Sequence, residues 1–331
     1  MKNNRVVMER ETPLVTSFPA MANILSLLGT NKSMQAWICD HFIQILMRPD
    51  HPYSMPDFYD QADLDNFFCI VFSSPGLSWM RNNRETAKWT YFTDYIEEQL
   101  REGYCVEACL DRYYFDFWRK RGGDHFIHST LIYGYDNQKK EIYAADFWED
   151  FKYGDKTLSY DEINRSINNN GIINLYKIYK DEEYDFNPEL MKLYLRDYIN
   201  SEDSMRRFEF SGRDYNKNAL FGLDYYDAYI NYAMHTNWVD VRGLHVLCDH
   251  KALMKNRINY ISENGLCSKE NAIRLIDMNQ KLMNTSLVIR SMGIKYNIRP
   301  SEELKERIVN QLNQLKIEDK KFTVELLESC S

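Results

Sequence analysis

The stretch GGDHFIHSTLIYGYDNQKKEIYAADFWEDF, residues 122–151, decides how this chain is read. Two runs rich in apolar and aromatic residues, HSTLIYGY (128–135) and KEIYAADF (140–147), flank a short polar turn, the pattern of an antiparallel β-hairpin. The hairpin carries a histidine near its start, His128, and an aspartate near its end, Asp146. Side chains alternate along a strand with a period of two, so pairing register decides whether these two meet. A turn centred on Asn137 sets His128 directly opposite Asp146, and one centred on Gln138 sets Thr130 opposite Asp146. Both leave His128 and Asp146 on one face, where directly opposite residues have Cβ atoms about 4.5–5.5 Å apart. A register shifted by one residue breaks the pair. A carboxylate held to one imidazole nitrogen fixes the tautomer, and the other nitrogen can then activate a thiol or hydroxyl. The competing reading is a pair that closes the hairpin and does nothing else.

Working outward, the rest of the chain bounds what such a pair could serve. Its 331 residues are 44% hydrophobic and 27% charged, an ordinary globular balance with length for one large or two medium domains. The net charge of −8 disfavours nucleic-acid binding, which needs a basic face to displace counterions. Apolar runs are too short to span a bilayer, and MKNNRVVMERETPLV lacks the apolar core of a signal peptide. The expectation is a cytoplasmic protein with no membrane partner. The cysteines at 39, 69, 105, 109, 248, 267 and 330 form no CxxC pair, so neither zinc spacing nor a disulfide framework is expected. Phosphate-binding glycine motifs are missing as well, so no nucleotide cofactor is implied.

The first half reads as α+β and the second as helical, with a boundary near 184 (domains 1–183 and 184–331). SFPAMANILSLLG (17–29) is a helix by its spacing of Ala20, Ile24 and Leu27, capped by Thr16 or Ser17 and stopped by Gly29. Residues 33–47 form a second helix, RPDHPYSMPDFYD a proline-rich loop, and 87–102 a third helix. GYCVEACLDRYYF (103–115) alternates as a strand, with Cys105, Glu107 and Cys109 opposite in phase to Val106 and Ala108. KTLSYDEINRSINN reads as a strand end leading into a short helix, and GIINLYKIYK (171–180) is a further strand. From Pro188 onward the pattern is helical apart from a loop at 202–217.

HSTLIYGYDNQKKEIYAADF resembles the histidine–aspartate hairpin of papain-like cysteine peptidase folds. The nearer likeness is to the butirosin-type acyl-transfer proteins of natural-product clusters. Their pattern is a His, a short apolar strand ending in Gly-Tyr-Asp, a turn, then a strand ending in Asp. The resemblance implies a papain-like domain followed by a helical one, with His128 as general base and Asp146 as its orienting partner. In such families a Cys opens a helix with Ala four positions on and Leu-Gly at its end. In TSFPAMANILSLLG, Ala20 and Gly29 fall in place, but Thr16 stands at the Cys position, with Ser17 beside it. Arg10 stands where many relatives carry a Gln that donates to the oxyanion. Three readings stay open. Thr16 or Ser17 replaces the thiol, Cys39 of the next helix reaches the site, or the fold persists without the chemistry. The helix start, Ser17 to Phe18, would supply oxyanion N–H groups.

The expected function is transfer of an acyl group from a carrier-protein thioester, borne on a phosphopantetheine arm, to an amine. The product would be an amide in a peptide-like natural product, with no cofactor and no metal. A non-catalytic protein that binds the carrier-borne intermediate is the alternative, and a leader-peptide peptidase is the third option. Cys39-Asp40-His41 is poorly placed for local Cys–His contact, because adjacent helical positions point about 100° apart. His125 reads as surface or lid. His245 and His250 are five apart, the wrong spacing for a helical metal pair. Lys251, Lys255 and Arg257 are more readily a solvated helix face than a phosphate site.

Overall fold

The computed structural model describes residues 4–47, 76–83, 89–148, 152–167, 172–204 and 218–330. The loop expected at 48–60, most of that at 202–217 and Cys69 lie outside the described residues. In chain order the elements of the first half are β1 (Arg5–Val7), α1 (Pro19–Leu28), α2 (Ser33–His41), β2 (Leu46–Met47), β3 (Leu77–Asn83), α3 (Phe92–Arg101), β4 (Cys105–Asp111), α4 (Asp116–Arg119), β5 (Ile127–Asp136), β6 (Glu141–Phe147), β7 (Tyr153–Ser159), α5 (Tyr160–Ser166) and β8 (Ile172–Ile178). Then come α6 (Pro188–Asn200), β9 (Leu220–Phe221), α7 (Asp224–His235), α8 (Val241–Glu263), α9 (Lys269–Ile298) and α10 (Glu302–Glu328). A mixed α/β region with an antiparallel sheet is thus followed by a helical one.

The chain divides into two compact units, Met1–Met34 with Val71–Glu183 and Gln35–Ile70 with Tyr184–Ser331. The expected division at 183/184 is one crossing point. Residues 35–47, read from sequence as part of the first domain, group with the second unit. Helix α2 is also shorter than expected: it ends at His41, and Leu46–Met47 pair as a strand with β9 instead.

In the first unit the strands run in the order β3-β8-β4-β5-β6-β7, every pair antiparallel, and β1 lies against β5. The two faces of this sheet are distinct. Val106, Ala108 and Leu110 of β4 pack with Phe92, Ile96 and Leu100 of α3 and Ile163 of α5 in one apolar core. Glu107, on the other face, is nearly buried and accepts from Asn23 of α1 (2.7 Å), Ser129 (2.7 Å), Asn174 (2.8 Å) and Tyr176 (2.6 Å). Four neutral donors satisfy a carboxylate that would otherwise be costly to bury, and they pin α1 to this face. Phe18, not Thr16 or Ser17, is the N-cap of α1, with no side-chain cap bond. Pro19 opens the helix, where its missing N–H costs nothing. Gly29 ends α1 in right-handed geometry, so its role there is not the left-handed stop expected of glycine.

The decisive hairpin has a compound register. Next to the turn, Asp136 faces Glu141 and Gly134 faces Tyr143. Continued unbroken, that ladder would set Thr130 opposite Phe147 and turn Asp146 away from His128. A bulge between Ile132 and Gly134 absorbs one extra residue, after which Ile132 faces Ala144 and Leu131 faces Ala145. The bulge brings Thr130 opposite Asp146. Gly134 is required here, because a Cβ would lie 2.9 Å from both the Val6 carbonyl of β1 and the Tyr143 ring.

Candidate functional site

Asp146 is fully buried and collects four partners. His128 Nδ1 lies 2.7 Å from Oδ1, and the Phe147 N–H donates to the same oxygen at 2.6 Å. Thr130 Oγ1 (2.7 Å) and Arg112 Nη2 (2.8 Å) donate to Oδ2. Arg112 Nη2 is also 3.1 Å from His128 Nδ1. An unprotonated Nδ1 would set its lone pair against a carboxylate oxygen at 2.7 Å. Nδ1 therefore carries the proton and donates to Asp146, and the Arg112 contact is proximity alone. This tautomer leaves Nε2 as the basic nitrogen, with no hydrogen-bond partner among the described residues. The His128 side chain is 20% exposed and stacks on Phe126 at 5.5 Å. The ring is thus anchored through Nδ1 and partly exposed.

Arg112 was not legible as part of the site. It follows β4 in a single 3-10 turn, Arg112–Tyr114, and is almost fully buried. Its guanidinium lies against the rings of Trp118, Phe126 and Trp148 at 5.8, 5.3 and 5.8 Å. A buried guanidinium requires a carboxylate, and Asp146 meets that need. The one sequence signal was a lone Arg between a strand and the aromatic run YYFDFW.

His128 faces Leu110 and Thr130 faces Ala108, so the His128–Asp146 pair belongs to the α3/α5 face of the sheet. Helix α1 packs on the Glu107 face. Strand alternation thus puts the His128–Asp146 pair and the body of α1 at Asn23 on opposite faces of the sheet, where the start of α1 was expected to point at His128. Thr16 is half-buried, while Ser17 and Phe18 are buried. Arg10 sits on the α1 face, where its Nε donates to Asp155 (2.9 Å) and its guanidinium covers Tyr133 and Tyr153. Cys39 belongs to the second unit and is 1% exposed. Burial pushes its thiol up to about 12. In the first unit burial likewise raises the Cys105 thiol to about 12 and that of Cys109 above its usual value.

A second pair, His125–Asp111, lies at the surface with Nδ1 to Oδ2 at 2.6 Å and the ring stacked on Tyr113. Burial pushes the Asp111 carboxyl up, but the bonds from His125 and from the Tyr113 and Phe126 N–H groups outweigh it and hold it below its usual range. In the second unit His250, Lys251 and Arg257 are fully buried, which corrects the reading of Lys251 and Arg257 as part of a solvated face of α8. No grouping of three or more His, Cys, Asp or Glu suited to a metal occurs among the described residues. No described helix is long and apolar enough to cross a membrane. Compared with family models and with curated proteins, the chain matches none.

Proposed function

We propose that the first unit is a papain-like domain that moves an acyl group from a carrier-borne thioester to an amine, with His128 as base and no acyl-enzyme on α1. The observation that carries this is the tethered imidazole: Nδ1 is held by a buried carboxylate and Nε2 is open. The amine nitrogen attacks the thioester carbonyl, the C–S bond breaks, and the amine proton passes to Nε2 and on to the departing thiolate. A positioned base contributes on the order of 10²–10⁴-fold. Direct attack suits a site whose hydroxyls, Thr16 and Ser17, precede a helix on the opposite sheet face. The donor would be an acyl or peptidyl carrier with a phosphopantetheine arm, and the product an amide of a peptide-like natural product.

A binding-only reading is favoured by Arg112, which already balances the Asp146 charge. One experiment separates the two: intact-protein mass spectrometry with an acyl thioester, with and without an amine. Direct transfer gives amide, no protein adduct, and loss of product in His128→Ala. Acylation of Thr16 or Ser17 would restore the α1 nucleophile and sink the direct route. Carrier affinity with neither amide nor adduct would establish the binding-only reading. The Thr16→Cys variant should gain no rapid His128-dependent acylation.

A further inference from the structure

Helix α9 is unusual in where it keeps its charges. Residues 278–299 hold no aspartate or glutamate, yet include Lys281, Arg290, Lys295 and Arg299, in a chain with 49 acidic residues and net charge −8. On the outer side of the same stretch, Leu287, Ile294 and Ile298 are 44%, 39% and 80% exposed. Their spacing of seven and four puts them in one line along the helix, about 16 Å long at 1.5 Å rise per residue. By the same spacing Lys295 and Arg299 border this line on one side and the half-buried Arg290 on the other. At its end Lys295 and Arg299, with Arg307 of α10, surround a depression of about 310 Å³ whose one carboxylate is Glu303.

We infer that this face of α9 docks an acidic amphipathic helix of a partner protein. An apolar ridge of this length matches about three turns of an opposing helix, which would place apolar anchors at spacings of three and four between the cations. Carboxylates flanking those anchors complement the basic borders, and such complementarity gives both rate and register. A second copy of this chain would set cations against cations and is disfavoured. A flat anionic bilayer would also meet Glu303, which lines the same depression. The surface lies wholly within the second unit, and the inference is independent of what His128 does.

The test titrates the full chain with a fluorescent 16-residue synthetic helix carrying leucines at spacings of four and three flanked by glutamates. A control peptide carries lysines in place of the glutamates. Binding of the acidic peptide alone is expected, weakening as salt screens the flanking pairs. Ile294→Glu and Arg299→Glu should each weaken it by about tenfold, with circular dichroism unchanged because both positions are exposed. Should Ile294→Glu disturb folding, Ile298→Glu at the last turn replaces it. Equal binding of both peptides, or indifference to these substitutions, would overturn the inference. So would binding to phosphatidylserine vesicles without peptide binding, or a dimer abolished by Ile294→Glu without peptide binding.

Discussion

Each unit buries one carboxylate beside a histidine and a cation, and the two clusters end differently. In the first, Asp146 holds His128 and Arg112, and the histidine side chain stays 20% exposed. In the second, Asp319 accepts from Lys251 (2.5 Å), Tyr198 (2.5 Å) and Tyr226 (2.8 Å), and Lys251 Nζ lies 2.9 Å from His250 Nδ1. His250 Nε2 is bonded to the Ile43 carbonyl at 2.9 Å. Every member of that set is fully buried, and both ring nitrogens of His250 are occupied. A carboxylate, a histidine and a cation make a candidate site where one ring nitrogen has no partner among the described residues, and a structural knot where both are bonded. The knot joins α6, α7, α8 and α10 through side chains that must all be satisfied together.

The comparison breaks most easily on activity. His128→Ala should cost on the order of 10²–10⁴-fold in amide formation. Asp146 would keep Arg112, Thr130 and the Phe147 N–H, so melting should shift by only about 1 kcal/mol. If His128→Ala unfolds the protein while turnover per folded molecule is unchanged, the first cluster is a knot too. The next effect belongs to the second unit. Asp319→Ala leaves Lys251 buried without its counter-charge and should cost about 3–5 kcal/mol in urea unfolding. Lys251→Met with Asp319→Leu should be less destabilised than Asp319→Leu alone, and only in part, since the hydroxyls of Tyr198 and Tyr226 remain unmatched. A double variant no better than the single would show that the charge pair is not what the knot protects.

How much of this was legible follows from what each feature depends on. The hairpin, β4, α5, β8 and the long C-terminal helices announce themselves by local periodicity. The His128–Asp146 pairing was legible as a choice of registers. Its realisation through a bulge was not, because the bulge depends on β1 and β6 closing around Gly134. Arg112 was missed because its partner is 34 residues away and its aromatic surroundings come from three separate segments. The sheet face that receives α1 was not legible for a related reason. A helix pattern says which residues are apolar but not which sheet face receives them, and the Asn23–Glu107 bond that decides it crosses 84 positions.

A smaller effect separates the two histidines by pH. Burial, with Lys251 and Arg257 nearby, holds His250 well below its ordinary value, so it stays neutral in the folded protein. The unfolded chain takes up that proton below about pH 6.5. The stability His250 carries is therefore complete above that pH and drains as pH falls, by about 1.4 kcal/mol per pH unit. His250→Gln can still donate to Ile43 and accept from Lys251 but does not titrate. Its stability should fall less steeply than that of the parent between pH 6.5 and 5, and parallel slopes would mean that His250 is protonated in the fold.

The smallest effect tests whether a His–Asp pair matters by itself. His125 and Asp111 are as close as His128 and Asp146, yet the His125 side chain is 63% exposed. Solvent screens such a pair, and exposed ion pairs contribute about 0–1 kcal/mol. The bonds that hold the Asp111 carboxyl low give a contribution present above its unfolded value near pH 3.9 and lost as pH falls through the lower folded one. At neutral pH His125→Ala should remove little: Asp111 keeps the Tyr113 and Phe126 N–H groups, and only the ring's contact with Tyr113 disappears. Stability within about 1 kcal/mol of the parent and unchanged amide formation are expected. Measured beside His128→Ala, this variant shares the side chain removed and differs in the carboxylate's burial. A loss of activity equal to that of His128→Ala would move the chemistry to the Glu107 face of the sheet, where Asp111 and α1 both lie.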